Sequence, residues 1–212
     1  MSRKIFKNVI LGKNCIIEDC SEIGHPPKGE KDGQLKTVIG DNAVIRSGTV
    51  IYAGVTIGDN FQTGHNVLIR EDNKVGNNVS IGTNSTIEVE NRIGNNVRIH
   101  SLCFLEKAVI ADYVFIGPGV ICTDNPHPNI NSSVKDQCVK GPIIKKSVKI
   151  GAGVTILPNI VIGENALIGA GSVVTKNVNP NTVMVGNPAR ATKKVRDVIC
   201  LKKTKPHRPY GE

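Results

Sequence analysis

Residues 39–105 read IGDNAVIRSGTVIYAGVTIGDNFQTGHNVLIREDNKVGNNVSIGTNSTIEVENRIGNNVRIHSLCFL, and an aliphatic side chain recurs in them at every sixth position. The series is Ile39, Ile45, Ile51, Ile57, Thr63, Ile69, Val75, Ile81, Ile87, Ile93, Ile99 and Leu105, in which Thr63 alone is not aliphatic. Four residues after most of them stands a second small or apolar residue, as at Ala43, Val55, Phe61, Val67, Val79, Val97 and Cys103. A longer period overlies this one: Gly40-Asp41-Asn42, Gly58-Asp59-Asn60, Gly76-Asn77-Asn78 and Gly94-Asn95-Asn96 are 18 residues apart, so three hexapeptides make one unit.

A chain that turns a corner every six residues closes a triangular coil. Gly, Asn and Asp suit the corners because they take left-handed backbone angles at low cost. Strands of a few residues fill the sides, and stacked coils pair as parallel strands with their aliphatic positions in one inner column. A β-sandwich needs wider, irregular strand spacing and long crossing connections, which an 18-residue register does not supply.

Outward from this stretch the phase slips by one residue after Leu105, continues at Ile110, Ile116 and Cys122, and breaks. It resumes at Ile144, Ile150, Ile156, Ile162, Ile168 and Val174, and an earlier piece holds Leu11, Ile17 and Ile23. The gaps predict loops at 25–37 and 123–142. A solenoid that tolerates a long loop between coils usually uses it. The expected organisation is one β-helical domain over 1–187, followed by a basic helix and tail over 188–212.

The net charge of +9 is uneven: 188–212 carries eight Lys or Arg against Asp197 and Glu212, which leaves the body nearly balanced. With 3% aromatic residues, no interleaving of aromatics with basic residues and no zinc-finger signature, nucleic acid is not the expected partner. No apolar run reaches the ~18 residues of a membrane span, so no membrane partner is expected. The six cysteines have no paired spacing and the first residues lack a signal-peptide apolar core, which points to a reduced, cytoplasmic protein. Cys15, Cys103 and Cys122 fall where the repeat wants a small apolar side chain.

These repeats, with the ending IGAGSVVTKNVNPNTVMVGNPAR, resemble the hexapeptide-repeat acyltransferases over most of residues 8–190. The resemblance implies an all-β, left-handed parallel β-helix with a short C-terminal helix. It further implies a homotrimer whose active sites lie in grooves between neighbouring prisms, with acetyl-CoA as co-substrate and no metal. ICTDNPHP followed by GPIIKKSVKIGAGVTILP is similar to the galactoside and maltose O-acetyltransferase pattern, which gives His127 the role of general base. Imidazole, with a pKa near ~6.5, is poised to take a proton from an attacking amine or hydroxyl; the bland reading of His127 is a surface turn residue between Pro126 and Pro128.

The same resemblance gives Asn66 and Asp72 to the acceptor, although this chain places about two more coils than those enzymes between them and the His127 loop; His65 and His100, at or beside coil corners, are candidates to face the same groove and bind the acceptor. A corner His is otherwise just solvated or hydrogen-bonded. Ala152 and Ala170 match corners whose backbone bonds the pantetheine arm, and Thr175, Lys176 and Arg190 match positions that reach the adenosine and phosphates.

The resemblance favours acetyl transfer to an amino group of a nucleotide-linked amino sugar, with O-acetylation of a sugar as the alternative. A γ-type carbonic anhydrase built on such repeats needs a third His about five residues after His100, where Leu105 stands. A scaffold without activity has no reason to keep the His-Pro loop and the Thr-Lys and Asn-Pro-Ala-Arg endings. The role of 25–37 is open.

Overall fold

A computed structural model describes residues 2–127, 138–200 and 208–209. Among the described residues the strands form three sheets of nine, eight and ten members, which are the three faces of a prism. The first face begins with Lys4–Ile5, Glu22–His25 and Val50–Tyr52, the second with Val9–Leu11, Thr37–Ile39 and Thr56–Ile57, and the third with Ile16–Ile17, Val44–Ile45 and Gln62–Thr63. One strand from each face makes a coil, and coils are numbered here from the N-terminus by their first-face strand.

The pairing is parallel with an 18-residue register through the regular region, as in Leu68↔Thr86, Ile69↔Ile87 and Lys74↔Arg92. Each two-residue strand after Lys4–Ile5 turns its second side chain inward. Ile45, Ile51, Ile69, Ile87, Leu105, Ile116, Ile144, Ile156 and Ile162 are all fully buried. At roughly 1.5–3 kcal/mol for each aliphatic side chain removed from water, this column is the main source of stability. Cys122 belongs to it and Cys103 is buried in the same core, both as filler, and burial pushes both thiols up.

The corners follow from the same residues. Asn42, Asn60, Asn78 and Asn96 have φ of 58°, 57°, 56° and 56° at the corner between the second and third faces. Their side-chain amides form a ladder, Asn42→Asn60, Asn60→Asn78 and Asn78→Asn96, at 3.1, 2.9 and 3.1 Å. Asn is favoured there twice over, for its backbone and for its capacity to donate and accept along the axis.

The all-β parallel helix read from the repeat is the architecture found. Both interruptions leave the same edge. The 25–37 loop joins His25 to Thr37 and the 123–142 segment joins Cys122 to Ile143, in each case between the first and second faces. The first loop is tied down by the Lys7 N–H, which donates to Asp32 Oδ1 at 2.8 Å, and by Asn8, whose Nδ2 donates to the Gly33 carbonyl at 3.1 Å. The second is held at its base, where the Lys140 N–H donates to the Asp124 carbonyl at 2.8 Å; its residues 128–137 lie outside the described residues.

One expectation fails in this region. In place of the helix expected from about residue 188, Arg190–Lys194 runs as a strand antiparallel to Thr182–Val185, and Val195–Asp197 closes it in a short 3₁₀ turn. The last coil leaves a row of unpaired backbone groups on the third face, and a strand satisfies them where a helix would not. Residues 201–207 of that tail lie outside the described residues.

Candidate functional site

The residues singled out from the sequence fall on two corners, one at each side of the first face. His65, Asn66, His100, Ala152 and Ala170 follow third-face strands and lie on the corner between the third and first faces. Asp72, His127, Thr175 and Lys176 follow first-face strands and lie on the corner between the first and second. A single chain therefore does not bring the two sets together.

On the third–first corner, His65 is exposed and its Nδ1 meets Ser47 Oγ at 2.8 Å. Two coils on, the His100 ring packs edge-on against Phe115 with centroids 5.3 Å apart. Beyond Phe115 the wall becomes apolar: Phe115, Ile150, Leu167 and Ala170 line an open groove with a volume of about 520 Å³. Its edge is the backbone of Gly151 and Gly169. A Cβ on Gly151 would stand 2.5 Å from the Ala170 nitrogen, so Gly there keeps consecutive coils in close contact. An apolar groove edged by exposed corner backbone fits a long, flexible, amide-containing arm such as pantetheine.

On the first–second corner, His127 is exposed, and its backbone N–H donates to Asn125 Oδ1 at 2.9 Å. Asp72 is an exposed corner residue with φ 60° whose carbonyl accepts from Arg92 Nη1; it sits three coils from the His127 loop, about 14 Å along the axis. Arg190 opens the antiparallel strand, exposed, and donates from Nη1 to the Ala189 carbonyl at 3.0 Å.

The structure adds residues that the sequence reading missed. A polar file climbs the first–second corner from one loop to the other. His25 Nδ1 meets Glu22 Oε2 at 2.7 Å, its ring packs against Tyr52, and the Arg70 guanidinium lies 5.2 Å from the Tyr52 ring centre. Arg70 makes two 2.8 Å hydrogen bonds to Glu71 and a third, at 3.2 Å, to Glu88. Burial pushes the Glu71 carboxyl up, but the Arg70 hydrogen bonds, a backbone hydrogen bond and the Arg70 charge together hold Glu71 below its usual range.

The file ends at Glu106 and Asp124. Asp124 is 7% exposed, three residues before His127. Burial pushes Glu106 above the usual carboxylate range, and the negative charges of Asp124 and Glu88 add to this. Two acidic residues therefore share a partly dry setting at the base of the loop that carries His127. The sequence held a signal for them: the one-residue slip after Leu105 falls in the corner that carries Glu106, so that Val109 pairs with Arg92 at a 17-residue offset.

Residues 141–176 match the bacterial transferase hexapeptide (six repeats) family. This chain carries the transferase hexapeptide repeat. It is 40% identical over 90 residues to a galactoside O-acetyltransferase of Escherichia coli, covering 42% of this chain and 44% of that protein. It is 36% identical over 107 residues to a serine acetyltransferase of Buchnera aphidicola, covering 47% and 41%. The chain spans about half or less of the length of the curated relatives it matches. Among solved structures it is similar in fold to a UDP-N-acetylglucosamine acyltransferase from Bacteroides fragilis, with a TM-score of 0.59 at 17% identity over 91% of this chain and 72% of that one. Among the described residues no helix is long and apolar enough to cross a membrane.

Proposed function

We propose that this chain transfers an acetyl group from acetyl-CoA to an amino group of a nucleotide-linked amino sugar. The observation that carries the choice of an amine is the Glu106–Asp124 pair at the base of the loop that carries His127. Adjacent carboxyls attract an ammonium and accept its hydrogen bonds, so they hold an amino acceptor where a neutral hydroxyl gains less.

The split of the site between two corners supports a homotrimer. If the third–first corner of one prism faces the first–second corner of the next, the groove between them has Ala152, Ala170 and Phe115 on one wall. His127, Glu106, Asp124, Thr175 and Lys176 stand on the other. Acetyl-CoA supplies an activated thioester carbonyl. Thr175, Lys176 and Arg190 attract its phosphates. The His127 imidazole takes the proton that the acceptor nitrogen loses as its bond to the carbonyl carbon forms and the carbon–sulfur bond breaks. It can return that proton to the departing thiolate.

A second reading is O-acetylation of a sugar, supported by the 40% identity to a galactoside O-acetyltransferase. Thiol release from acetyl-CoA, measured on a panel of amino sugars and their hydroxyl analogues, free and nucleotide-linked, decides between them. Turnover of hydroxyl acceptors alone rejects the amine; no thiol release with any acceptor and no affinity for CoA reject the acyltransferase. Sedimentation equilibrium tests the trimer.

A further inference from the structure

Immediately before the apolar groove, the same third–first corner changes character. A cavity of about 280 Å³ opens there, lined by Arg98, His100, Thr83, Ser101 and Gln62, with Gly64 and Gly82 at its floor. No carboxylate lines it, in contrast to the acidic file on the first–second corner. Arg98 projects from the outer side of the third face, exposed, and among the described residues its guanidinium has neither an ion pair nor a hydrogen bond. Most other arginines of the body are engaged: Arg46 on Glu18, Arg70 on Glu71 and Glu88, Arg92 on the carbonyls of Asp72 and Asn91. Gly82 is required by close packing, since a Cβ there would stand 2.3 Å from the Ser101 nitrogen; the same lack of a side chain leaves the floor of the cavity open.

A guanidinium with free donors, hydroxyls on consecutive coils and an imidazole, with no opposing acid, is a setting for an anion with several oxygens. We propose that Arg98, with Thr83, Ser101 and His100, is a subsite for the phosphate groups of the acceptor. This rests on the acyltransferase reading above. The spacing suits it. The pantetheine groove occupies coils six to eight and Glu106 and Asp124 lie on coils six and seven, whereas the cavity lies on coils three to five. The offset of about two coils, roughly 10 Å, is the reach from a sugar amino group to a phosphate on the same molecule. Positive and negative subsites then sit at opposite ends of one acceptor, on walls supplied by neighbouring chains, so a phosphorylated amino sugar is oriented by charge alone. A free amino sugar meets only the acidic end.

The test uses the full chain saturated with CoA, so that the phosphate positions of the co-substrate are filled, and inorganic pyrophosphate as the probe. Titration calorimetry is expected to show pyrophosphate binding that weakens steeply with salt. Binding is expected to fall by about tenfold or more in Arg98→Gln and to be partly restored in Arg98→Lys. Pyrophosphate is also expected to shift the His100 ring resonances in wild-type protein. Glucosamine, without a phosphate, is expected to bind wild type and Arg98→Gln equally. Absence of pyrophosphate binding to the CoA-loaded protein, or binding indifferent to Arg98→Gln, overturns the subsite. Failure of the chain to bind CoA overturns the acyltransferase reading instead, and pyrophosphate binding dependent on Arg98 would then still establish the anion site by itself.

Discussion

Glu106 and Asp124 sit on successive coils at one corner of the prism, 18 positions apart, with Asp124 buried. Burial, together with the charges of Asp124 and Glu88, raises the Glu106 pKa in the folded protein. A raised folded pKa means that the folded state binds the proton more tightly than the unfolded chain. The associated stability is then complete below the ordinary carboxylate pKa and is lost as pH rises through the raised value. Urea unfolding at a series of pH values is expected to show wild type gaining stability as pH falls into this window, and Glu106→Gln losing that gain. Glu18 and Glu71 are shifted down, so their contributions are lost only at lower pH, as pH falls through their depressed values. A variant profile as steep as that of wild type would show that the pair holds no extra proton.

His127 stands clear of the core, so its removal is a test of chemistry with little effect on folding. His127→Ala is expected to leave the thermal midpoint and CoA affinity unchanged and to slow acyl transfer by about 100-fold or more, the usual worth of one positioned base. An undiminished rate would mean that the amine arrives already neutral and that the neighbouring carboxyls only hold it.

The fold was legible because its rule is local: Ile39 to Leu105 state the six-residue period outright, and the Gly-Asp-Asn triplets state the 18-residue register. Both loops were legible as breaks in that rule. The placement of the site residues was harder to read, because period alone does not say which of three corners a residue occupies until strands are counted. His65 and His127 look equivalent in sequence and lie on opposite sides of the first face. Glu106 escaped notice because an acidic residue at a coil corner is ordinary until its neighbour 18 positions on, Asp124, is found buried against it. The C-terminal segment misled because its composition suits a helix, whereas the open edge of the last coil demands a strand.

Asn91 is fully buried, and its backbone and side chain together tie three coils to one another. Its Oδ1 accepts from the Ala108 N–H at 2.8 Å, its Nδ2 donates to the Glu88 carbonyl at 2.7 Å, and its backbone N–H donates to Asn73 Oδ1 at 2.9 Å. Asn91→Ala strands the buried Ala108 N–H, at about 1–3 kcal/mol, while the Glu88 carbonyl keeps its hydrogen bond from Asn73 Nδ2. A loss of roughly 1–3 kcal/mol is expected in equilibrium unfolding, against well under 1 kcal/mol for exposed Lys74→Gln. Near-equal values would mean that water replaces the lost partners inside this corner.

Two glycines on the corner assigned to pantetheine separate packing from backbone angle. Gly151 has no room for a Cβ, which would stand 2.5 Å from the Ala170 nitrogen and 2.8 Å from its Cα, atoms of the next coil that cannot swing aside. Gly153 has a left-handed φ of 65° and nothing within 4 Å of its Cβ position. Gly151→Ala is expected to cost about 1–3 kcal/mol as the coils are forced apart. Because that displaces the backbone of Ala152 and Ala170, it should also weaken CoA binding measured by calorimetry. Gly153→Asn should change stability little, since Asn accepts the left-handed region and meets no neighbour. If Gly151→Ala destabilised the fold and left CoA affinity untouched, the co-substrate would have to lie away from this corner, and the split-site arrangement would lose one of its walls.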